Sequence, residues 1–500
     1  MKKKYYITTP IYYPSAKPHM GHAYSSISAD FIARYKRLEG YDVKFVTGTD
    51  EHGQKIQKSA DERKLSPDVF CNEISKVFLD LTKTLNLSNT DFIRTTEERH
   101  HKTVQNLWKI LEEKKFIYLS KYTGWYSVSD EAFYAESEII EKDKIKLCEA
   151  TGSAVEWVEE ESYFFKLSEF QNLLIKHYEN NPDFIQPSSR RNEVMSFVKS
   201  GLKDLSISRN SFKWGISVPN SENHIVYVWL DALTNYLTAT NYFEENSFWP
   251  ADVHIIGKDI LRFHAVYWPA FLLAAEIPLP KKIFGHGWIL SGDEKMSKSK
   301  GNILDPIEIV DEFGLDEIRY YLMKEVMYGL DGKINIDNLK NCINSDLANN
   351  IGNLSQRIFV LINKYFSCKV PDPKTLSDED QNFMQCPIDR LKKSMNSFEI
   401  HNYMRELISY SSRINKFVND EEPWTKAKNS DPRVGAILYV ALNALKNIFI
   451  LLHPVMPSKS EYYLSCLNIT VKDISFELIN KNLHVNAELK MPGIMFKKYI

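Results

Sequence analysis

Two short segments of this sequence carry residues suited to handling phosphate. The first, Pro10-Ile-Tyr-Tyr-Pro-Ser-Ala-Lys-Pro-His19-Met-Gly21-His22, places two histidines three apart at the start of a helical pattern, directly after a strand pattern. In parallel-sheet folds ligands sit at the carboxyl ends of strands beside helix N-termini, where exposed N–H groups and the helix dipole favour anions. His19 and His22 can donate hydrogen bonds to a triphosphate as charge builds on it, and Gly21 lets a nucleotide approach the backbone closely. The second segment, Lys295-Met-Ser-Lys298-Ser299-Lys300-Gly301-Asn302, follows Ser291-Gly292-Asp293. Flexible residues carrying lysines make a cationic loop suited to an expanding phosphorus centre and a departing pyrophosphate. Each segment alone has a plainer reading, as satisfied histidines or as a solvated loop. In this order and on these elements the two plain readings are hard to hold together.

The elements around the histidines alternate strand and helix. Tyr5–Thr9 reads as a strand and Pro10–Pro18 as a loop; Ala23, Ile27, Phe31, Tyr35 and Leu38 then recur at helical spacing. Gly40 stops the helix, and Asp42–Thr47 alternates like a strand before the turn Gly48-Thr49-Asp50. Strand–helix–strand of this length is a βαβ unit and implies a parallel sheet. The pattern returns with a strand at Val253–Ile256, Gly257, a helix over Asp259–Ala275 and a strand at Lys282–Trp288. A mixed insertion, Lys115–Val226, separates the halves. Beyond Asp337 helical periodicity (Ile343, Leu347, Ile351, Leu354, Ile358) takes over to His453-Pro454 and reads as a helical bundle. The expected fold is therefore α/β, a Rossmann-type parallel sheet split by an insertion and followed by an all-α domain. The expected boundaries are 1–114 and 227–290 for the two catalytic halves, 115–226 for the insertion, 291–337 for the lysine loop and linker, 338–460 for the bundle and 461–500 for a tail.

Composition narrows the setting. The 63 Lys+Arg against 65 Asp+Glu leave a net charge of −2, so any nucleic-acid-binding surface must be local. The six cysteines form no C-x-x-C pair, which favours reduced thiols over a disulfide framework. No apolar run follows Lys2-Lys3-Lys4 as a signal peptide requires. The apolar stretches Ala265–Pro280 and Ala436–Leu452 are interrupted by prolines or polar residues and read as buried helices. A cytoplasmic protein without membrane attachment is expected.

H-x-G-H and K-M-S-K-S are the paired signatures of class I aminoacyl-tRNA synthetases, and the chain resembles that family. Three further stretches resemble its methionine members: Thr47-Gly-Thr-Asp50-Glu-His-Gly53, Val228-Trp229-Leu-Asp-Ala232-Leu-Thr-Asn-Tyr236 and Gly257-Lys-Asp259-Ile260-Leu-Arg-Phe-His264-Ala-Val-Tyr-Trp268. The resemblance runs from about Tyr5 to Pro457. It implies ATP, with Mg2+, as the activating substrate of a methionine–tRNA ligase, with tRNA(Met), including the initiator, as the acceptor. It implies that Ile11, Tyr13, Trp229, Ala232, Tyr236, Ile260, His264 and Trp268 wall a methionine pocket in which Asp50 holds the ammonium. It also implies His19, Gly21, His22, Gly257, Asp259 and Lys298 as ATP contacts, and His19, His22, Lys295 and Lys298 as catalytic groups. The chemistry agrees: aromatic edges suit a thioether, and a carboxylate suits an ammonium. The leucine, isoleucine and valine enzymes carry a larger insertion, and the cysteine enzyme a zinc with cysteine ligands, so both fit less well.

The insertion departs from the family pattern. Where many methionine enzymes bind zinc, Tyr126–Tyr134 has Ser127 and Asp130 at the cysteine positions, and only Cys148 remains of the second pair, with Thr151 beyond it. One thiolate cannot hold a tetrahedral structural zinc, so no metal site is expected. In the tail, Asn349, Asn353 and Arg357 stand four apart on one helical face, and Trp424 follows Glu422-Pro423. These match anticodon-binding positions of the family, and such side chains can bond and stack on unpaired bases. The resemblance also implies a monomer, since no appended C-terminal tRNA-binding domain follows the bundle. Two rivals stand: another class I nucleotidyltransferase that ignores tRNA, and a non-catalytic tRNA-binding relative. The first has no need of the helical tail, and the second has no need of both intact motifs.

Overall fold

The computed structural model describes residues 2–15, 17–142, 144–245, 248–291, 294–295 and 305–499. By its contacts the chain divides into a sheet unit, Lys4–Pro18 with Lys44–His286, and a helical unit, Met1–Lys3 with His19–Val43 and Gly287–Ile500.

The sheet unit is organised by six strands. Three are β1 (Lys4–Tyr12), β2 (Asp42–Thr49) and β3 (Asp91–Arg94); across the sheet the order is β3, β2, β1, Val253–Gly257, Ile283–His286, Ile185–Gln186. The registers are parallel, with Val46 opposite Asp91, Ile7 opposite Val253, Ile255 opposite Phe284 and Ile283 opposite Ile185. Strands covered on both faces read as apolar runs, and Tyr6, Ile7, Phe45, Val46, Val253, Ile255, Ile256 and Ile283 are all buried. The winding reverses between β1 and Val253–Gly257. At such a reversal the connections leave in opposite directions and open a crevice at the carboxyl ends of the strands.

Two details differ from the sequence expectation. The insertion carries an antiparallel sheet built on β4 (Ile117–Ser127), β5 (Ala132–Tyr134) and Glu156–Phe165, together with helices Gln171–Asn180 and Ser188–Lys199, and its Ile185–Gln186 joins the edge of the parallel sheet. Pro187 follows at once, and a proline has no N–H to extend the ladder. The helix expected over Asp259–Ala275 is also irregular, running as a 3-10 turn at Lys258–Ile260, a π-helical turn at Phe263–Tyr267 and an α-helix at Trp268–Ala274. Pro269 removes the N–H that the Ala265 carbonyl would use in a regular helix. The hydroxyl of Tyr178 donates to that carbonyl instead.

The helical unit combines α1 (Met20–Leu38) with a three-stranded sheet of Ile289–Ser291, Glu294–Lys295 and Gly332–Ile334, and with the helices from Pro306 to Ile479. Its central helix, Arg433–Leu452, is buried from Val434 to Leu452. Among the described residues it is the one helix long and apolar enough to cross a membrane, and it lies wholly inside the fold. Two of its buried polar side chains, Lys446 and Asn443, bond the segment that follows. Lys446 Nζ donates to the carbonyls of Leu478 (2.9 Å) and Lys481, and Asn443 Oδ1 accepts the Leu483 N–H at 2.8 Å.

A buried ion pair fixes α1 within this unit. Arg319, with no exposed surface, donates from Nη2 to Asp30 Oδ2 (2.5 Å) and to the Pro454 carbonyl (3.1 Å), and from Nε to the Val455 carbonyl (2.8 Å). Phe31 and Tyr35 of α1 pack edge-on against Tyr403, with ring centroids 5.6 and 5.7 Å apart. Asp30→Asn leaves the guanidinium buried without its anion, and losing one partner of such a pair costs about 3–5 kcal/mol. The urea midpoint should fall accordingly; an unchanged midpoint would show that the carbonyls alone satisfy Arg319.

Candidate active site

The histidine segment is locally self-organised. His19 is the N-cap of α1 and its Nδ1 accepts the Gly21 N–H at 3.0 Å, while the His19 N–H donates to His22 Nδ1 at 3.0 Å. The two rings lie 3.9 Å apart between centroids. Since each Nδ1 accepts a backbone N–H, the proton of each neutral imidazole sits on Nε2, which makes both rings donors to an anion. Burial, and then the neighbouring His19, hold the His22 pKa well below its ordinary value, so His22 acts as a neutral donor. At Gly21 a Cβ would lie 2.8 Å from His19 Cε1, so the glycine makes room for the histidine ring. Lys295 lies on the short strand paired with Ile289–Ser291, Lys295 opposite Leu290. Ile289–Ser291 in turn packs on α1, so the histidine helix and the strand that carries Lys295 belong to one body. Lys298 lies outside the described residues.

The residues expected to wall a pocket belong to the sheet unit and gather at the carboxyl end of its crevice. Ile11 and Tyr13 come from the end of β1, Asp50 follows β2, and Trp229, Ala232 and Tyr236 lie at helical spacing on Val228–Thr238. Gly257 ends its strand, Asp259 and Ile260 form the next turn, and His264 and Trp268 follow on the irregular helix. Trp229 stacks on Phe263 with centroids 3.7 Å apart and planes within 4°. His264 Nδ1 donates to the Ile260 carbonyl (3.0 Å), which leaves Nε2 to accept the Tyr236 hydroxyl (2.7 Å). Burial pulls the His264 pKa down to about 4, so this wall is uncharged at neutral pH. With the polar atoms of Tyr236 and His264 spent on each other, what they present is chiefly ring surface. Trp268 is fully buried behind Tyr236, 6.1 Å between centroids, and supports the wall from behind. Ile11, Tyr13, Trp229 and Ile260 are half-buried and form the accessible part.

Asp50 is the anomaly in this wall. It is buried, and its Oδ1 has no hydrogen-bond partner. Burial first, then the charges of Asp231 and Glu131, push its pKa well above the carboxylate range, opposed by a hydrogen bond from the His52 N–H. A cation arriving beside it would reverse that shift. The residues around it are tightly fixed. Glu51 accepts Thr49 (2.7 Å), Ser75 (2.5 Å), Thr96 (2.6 Å) and both Nε and Nη2 of Arg94 (2.7 and 2.9 Å), which overcome its burial and lower its pKa. The fully buried Asp231 accepts His52 Nδ1 and His100 Nε2, each at 2.7 Å. Burial alone would raise the Asp231 pKa; the two imidazoles bring it down to about 2.

Sequence reading singled out Asp50 and passed over Glu51, His52, Asp231 and Glu131. The motif itself carried the signal, since Asp50-Glu51-His52 places three polar residues after a buried strand.

In the insertion hairpin the residues at the family's metal-ligand positions bond one another. Asp130 Oδ2 accepts the hydroxyls of Thr151 (2.7 Å) and Tyr134 (2.9 Å), and Oδ1 accepts Ser153 (2.7 Å). Ser127 Oγ takes the Asp130 N–H at 3.3 Å, and Cys148 is buried. Both carboxylate oxygens are already engaged and a single thiol is present, a donor set that does not fit tetrahedral zinc.

In the helical unit Asn349 and Asn353 are exposed and Arg357 half-buried along a helix that widens to π geometry over Ile343–Gly352. Arg357 bonds Asn419 Oδ1 (2.5 Å) and Asn415 Oδ1 (3.1 Å), and its guanidinium lies 5.5 Å from the centroid of the half-buried Trp424 ring. Arg357 and Trp424 thus form one platform, flanked along the helix by two exposed amides.

Comparison with known proteins places the whole chain in one family. A family model described as tRNA synthetases class I (M) matches residues 5–359, and one described as the anticodon binding domain of methionyl tRNA ligase matches 370–500. The methionine–tRNA ligase of Rickettsia conorii is 47% identical over 513 residues, covering 100% of both chains, and that of Brucella suis 45% identical over 508 residues, covering 100% of this chain and 98% of the relative. A solved structure of Mycobacterium tuberculosis methionyl-tRNA synthetase in complex with methionyl-adenylate superposes with a TM-score of 0.97 at 42% identity, covering 99% of each chain.

The depressed His264 pKa gives a pH signature. Between its ordinary 6.5 and about 4 the unfolded chain binds a proton that the folded chain refuses. Stability from this group is therefore full above pH 6.5 and falls with acidification by up to about 3 kcal/mol near pH 4. Urea unfolding at pH 7 and pH 5 should show a smaller acid loss in His264→Asn than in the wild type; equal losses would show that His264 takes up its proton in the folded state.

Proposed function

Given that the chain belongs to the class I methionyl-tRNA synthetases, we propose a division of labour among its residues. Its activity is that of a methionine–tRNA ligase: methionine and ATP give methionyl-adenylate and diphosphate, and the methionyl group then passes to the 3′ end of tRNA(Met) with release of AMP. Asp50 takes the methionine ammonium, and the observation that carries this assignment is its buried, unpartnered Oδ1. Ile11, Tyr13, Trp229, Ala232, Tyr236, Ile260, His264 and Trp268 enclose the thioether side chain, where ring edges favour sulfur over water. Held by its ammonium, methionine directs its carboxylate at the α-phosphorus of Mg-ATP, and the P–O bond to diphosphate breaks as the new P–O bond forms. His19 and His22 donate from Nε2 to the triphosphate as charge moves towards the leaving group, and Lys295 and Lys298 attract the departing diphosphate. Gly21 acts through the His19 ring, while Gly257 and Asp259 serve the nucleoside. Catalysis is by positioning and charge stabilisation, with no covalent enzyme intermediate.

The insertion hairpin is proposed to be metal-free, its Asp130 carboxylate gathering the hydroxyls that replace ligands. Residues 338–460 are assigned to anticodon reading, by Asn349, Asn353, Arg357 and Trp424, on elongator and initiator tRNA(Met). A cytoplasmic monomer is the proposed working form.

Trp424 separates the two activities. Stacking of a base on an aromatic ring is worth about 1–3 kcal/mol, so Trp424→Ala should lower kcat/KM for tRNA by roughly 5- to 150-fold. ATP–diphosphate exchange without tRNA and the melting temperature should stay near wild type. Equal loss of exchange and charging, with a lowered melting temperature, would make Trp424 a structural support for Arg357.

A further inference from the structure

Glu131 belongs to no segment assigned a role above, yet it is buried and connects three of the pocket-bearing segments. It follows Asp130 at the turn between β4 and β5 and has the left-handed backbone conformation, φ 48°. Its carboxylate Oε1 accepts the Lys55 N–H at 2.8 Å and lies 3.1 Å from the Tyr13 hydroxyl, while Oε2 accepts the Tyr126 hydroxyl. Its own carbonyl accepts the Tyr227 hydroxyl at 2.8 Å. Tyr13 ends the β1 segment, Lys55 opens the helix after Asp50-Glu51-His52-Gly53, and Tyr227 caps the helix that carries Trp229, Ala232 and Tyr236.

The local packing is built around this contact. Tyr13 donates its hydroxyl proton to the His52 carbonyl at 2.6 Å, and His52 is itself anchored to Asp231 and donates its N–H to Asp50. Gly53 has φ 105°, and a Cβ there would lie 2.4 Å from the Tyr13 hydroxyl and 2.9 Å from Glu131 Oε1. Position 53 must therefore be glycine because the tyrosine and the glutamate fill the space its side chain would need. Glu131 is held in turn through Tyr126, whose ring lies 4.1 Å from the buried Arg209 guanidinium, itself paired with Glu160.

We propose that Glu131 is a positioning residue for methionine activation, through which the insertion hairpin sets Tyr13 and the Asp50–Lys55 segment in the amino-acid site. The inference rests on the assignment of Tyr13 and Asp50 to that site. A residue acting in this way affects the amino acid and not the nucleotide, and its effect passes through Tyr13. Its consequence for the fold is that the hairpin, anchored by hydroxyls on Asp130, braces the pocket from outside the parallel sheet.

The test is steady-state ATP–diphosphate exchange on the full chain with Glu131→Ala, Glu131→Gln, Tyr13→Phe, Asp50→Asn and the Glu131→Ala/Tyr13→Phe pair. Glu131→Ala should raise KM for methionine about 10- to 100-fold with KM for ATP within about twofold, and Glu131→Gln, which keeps one acceptor oxygen, about 3- to 10-fold. In the Tyr13→Phe background the same alanine should add no more than about threefold, since the two side chains act as one unit. Fully additive effects, or an unchanged KM for methionine with only a lowered melting temperature, would overturn the proposal. If Glu131→Ala does not fold, an unchanged methionine KM in Glu131→Gln overturns it equally. Asp50→Asn isolates the underlying assignment: if that variant keeps its methionine KM, the site reading fails whatever Glu131 does, and if it loses methionine while the Glu131 variants do not, only this proposal fails.

Discussion

A buried carboxylate oxygen without a hydrogen bond is a standing cost, and Oδ1 of Asp50 is the point on which the sheet unit turns. The neighbouring charges are all otherwise committed. Glu51 is occupied by Arg94 and three hydroxyls, Asp231 by two imidazoles, and His52 reaches Asp231 with its ring and Asp50 with its backbone. The surroundings thus fix Asp50 firmly and decline to neutralise it. An aromatic wall in which Tyr236 and His264 pair their polar atoms completes a site suited to one cation attached to an apolar chain.

The helical unit solves a different problem, which is to hold phosphate-handling groups on a rigid support. His19 and His22 are locked to each other and to the first turn of α1 by backbone hydrogen bonds, so their Nε2 protons are set before any substrate arrives. Through Asp30 and Arg319 the same helix is bound to the carbonyls that follow the central bundle helix. Donors aimed in advance at developing charge avoid reorganisation during reaction, which is where most of their benefit arises. The bundle that presents Arg357 and Trp424 belongs to the same body as the histidine helix.

Much of this was legible in the residues. The βαβ periodicity, the late return of the strand pattern and the helical tail come from apolar spacing, which burial enforces, and the parallel sheet and bundle follow it. The paired histidine and lysine motifs and the methionine-type segments pointed to the family that the comparisons bear out. What sequence could not supply depends on contacts between distant positions. Asp259–Ala275 read as one helix from sequence alone; its irregularity follows Pro269, and the hydroxyl that takes up the Ala265 carbonyl sits at Tyr178, far away in the chain. Gly21 read as room for a nucleotide, and only the fold shows that the His19 ring also needs a glycine there. Ile185–Gln186 is too short to register as a strand until the sheet edge lies beside it. Asp130 and Glu131 looked like lost zinc ligands and their neighbour; folded, one organises the hairpin and the other reaches the pocket.

Oδ1 of Asp50 is held open for the methionine ammonium, and a single variant examines both the affinity and the cost that this implies. Asp50→Asn keeps the shape of the side chain and removes its charge. Titration calorimetry with methionine, together with thermal unfolding of the ligand-free protein, gives affinity and stability from one preparation. The expected result is an affinity lower by at least about 100-fold, the loss of a charge-assisted contact worth about 2.7 kcal/mol or more, accompanied by an equal or higher melting temperature because the buried charge is gone. Methionine affinity within a few-fold of wild type would contradict the claim, whatever the melting temperature.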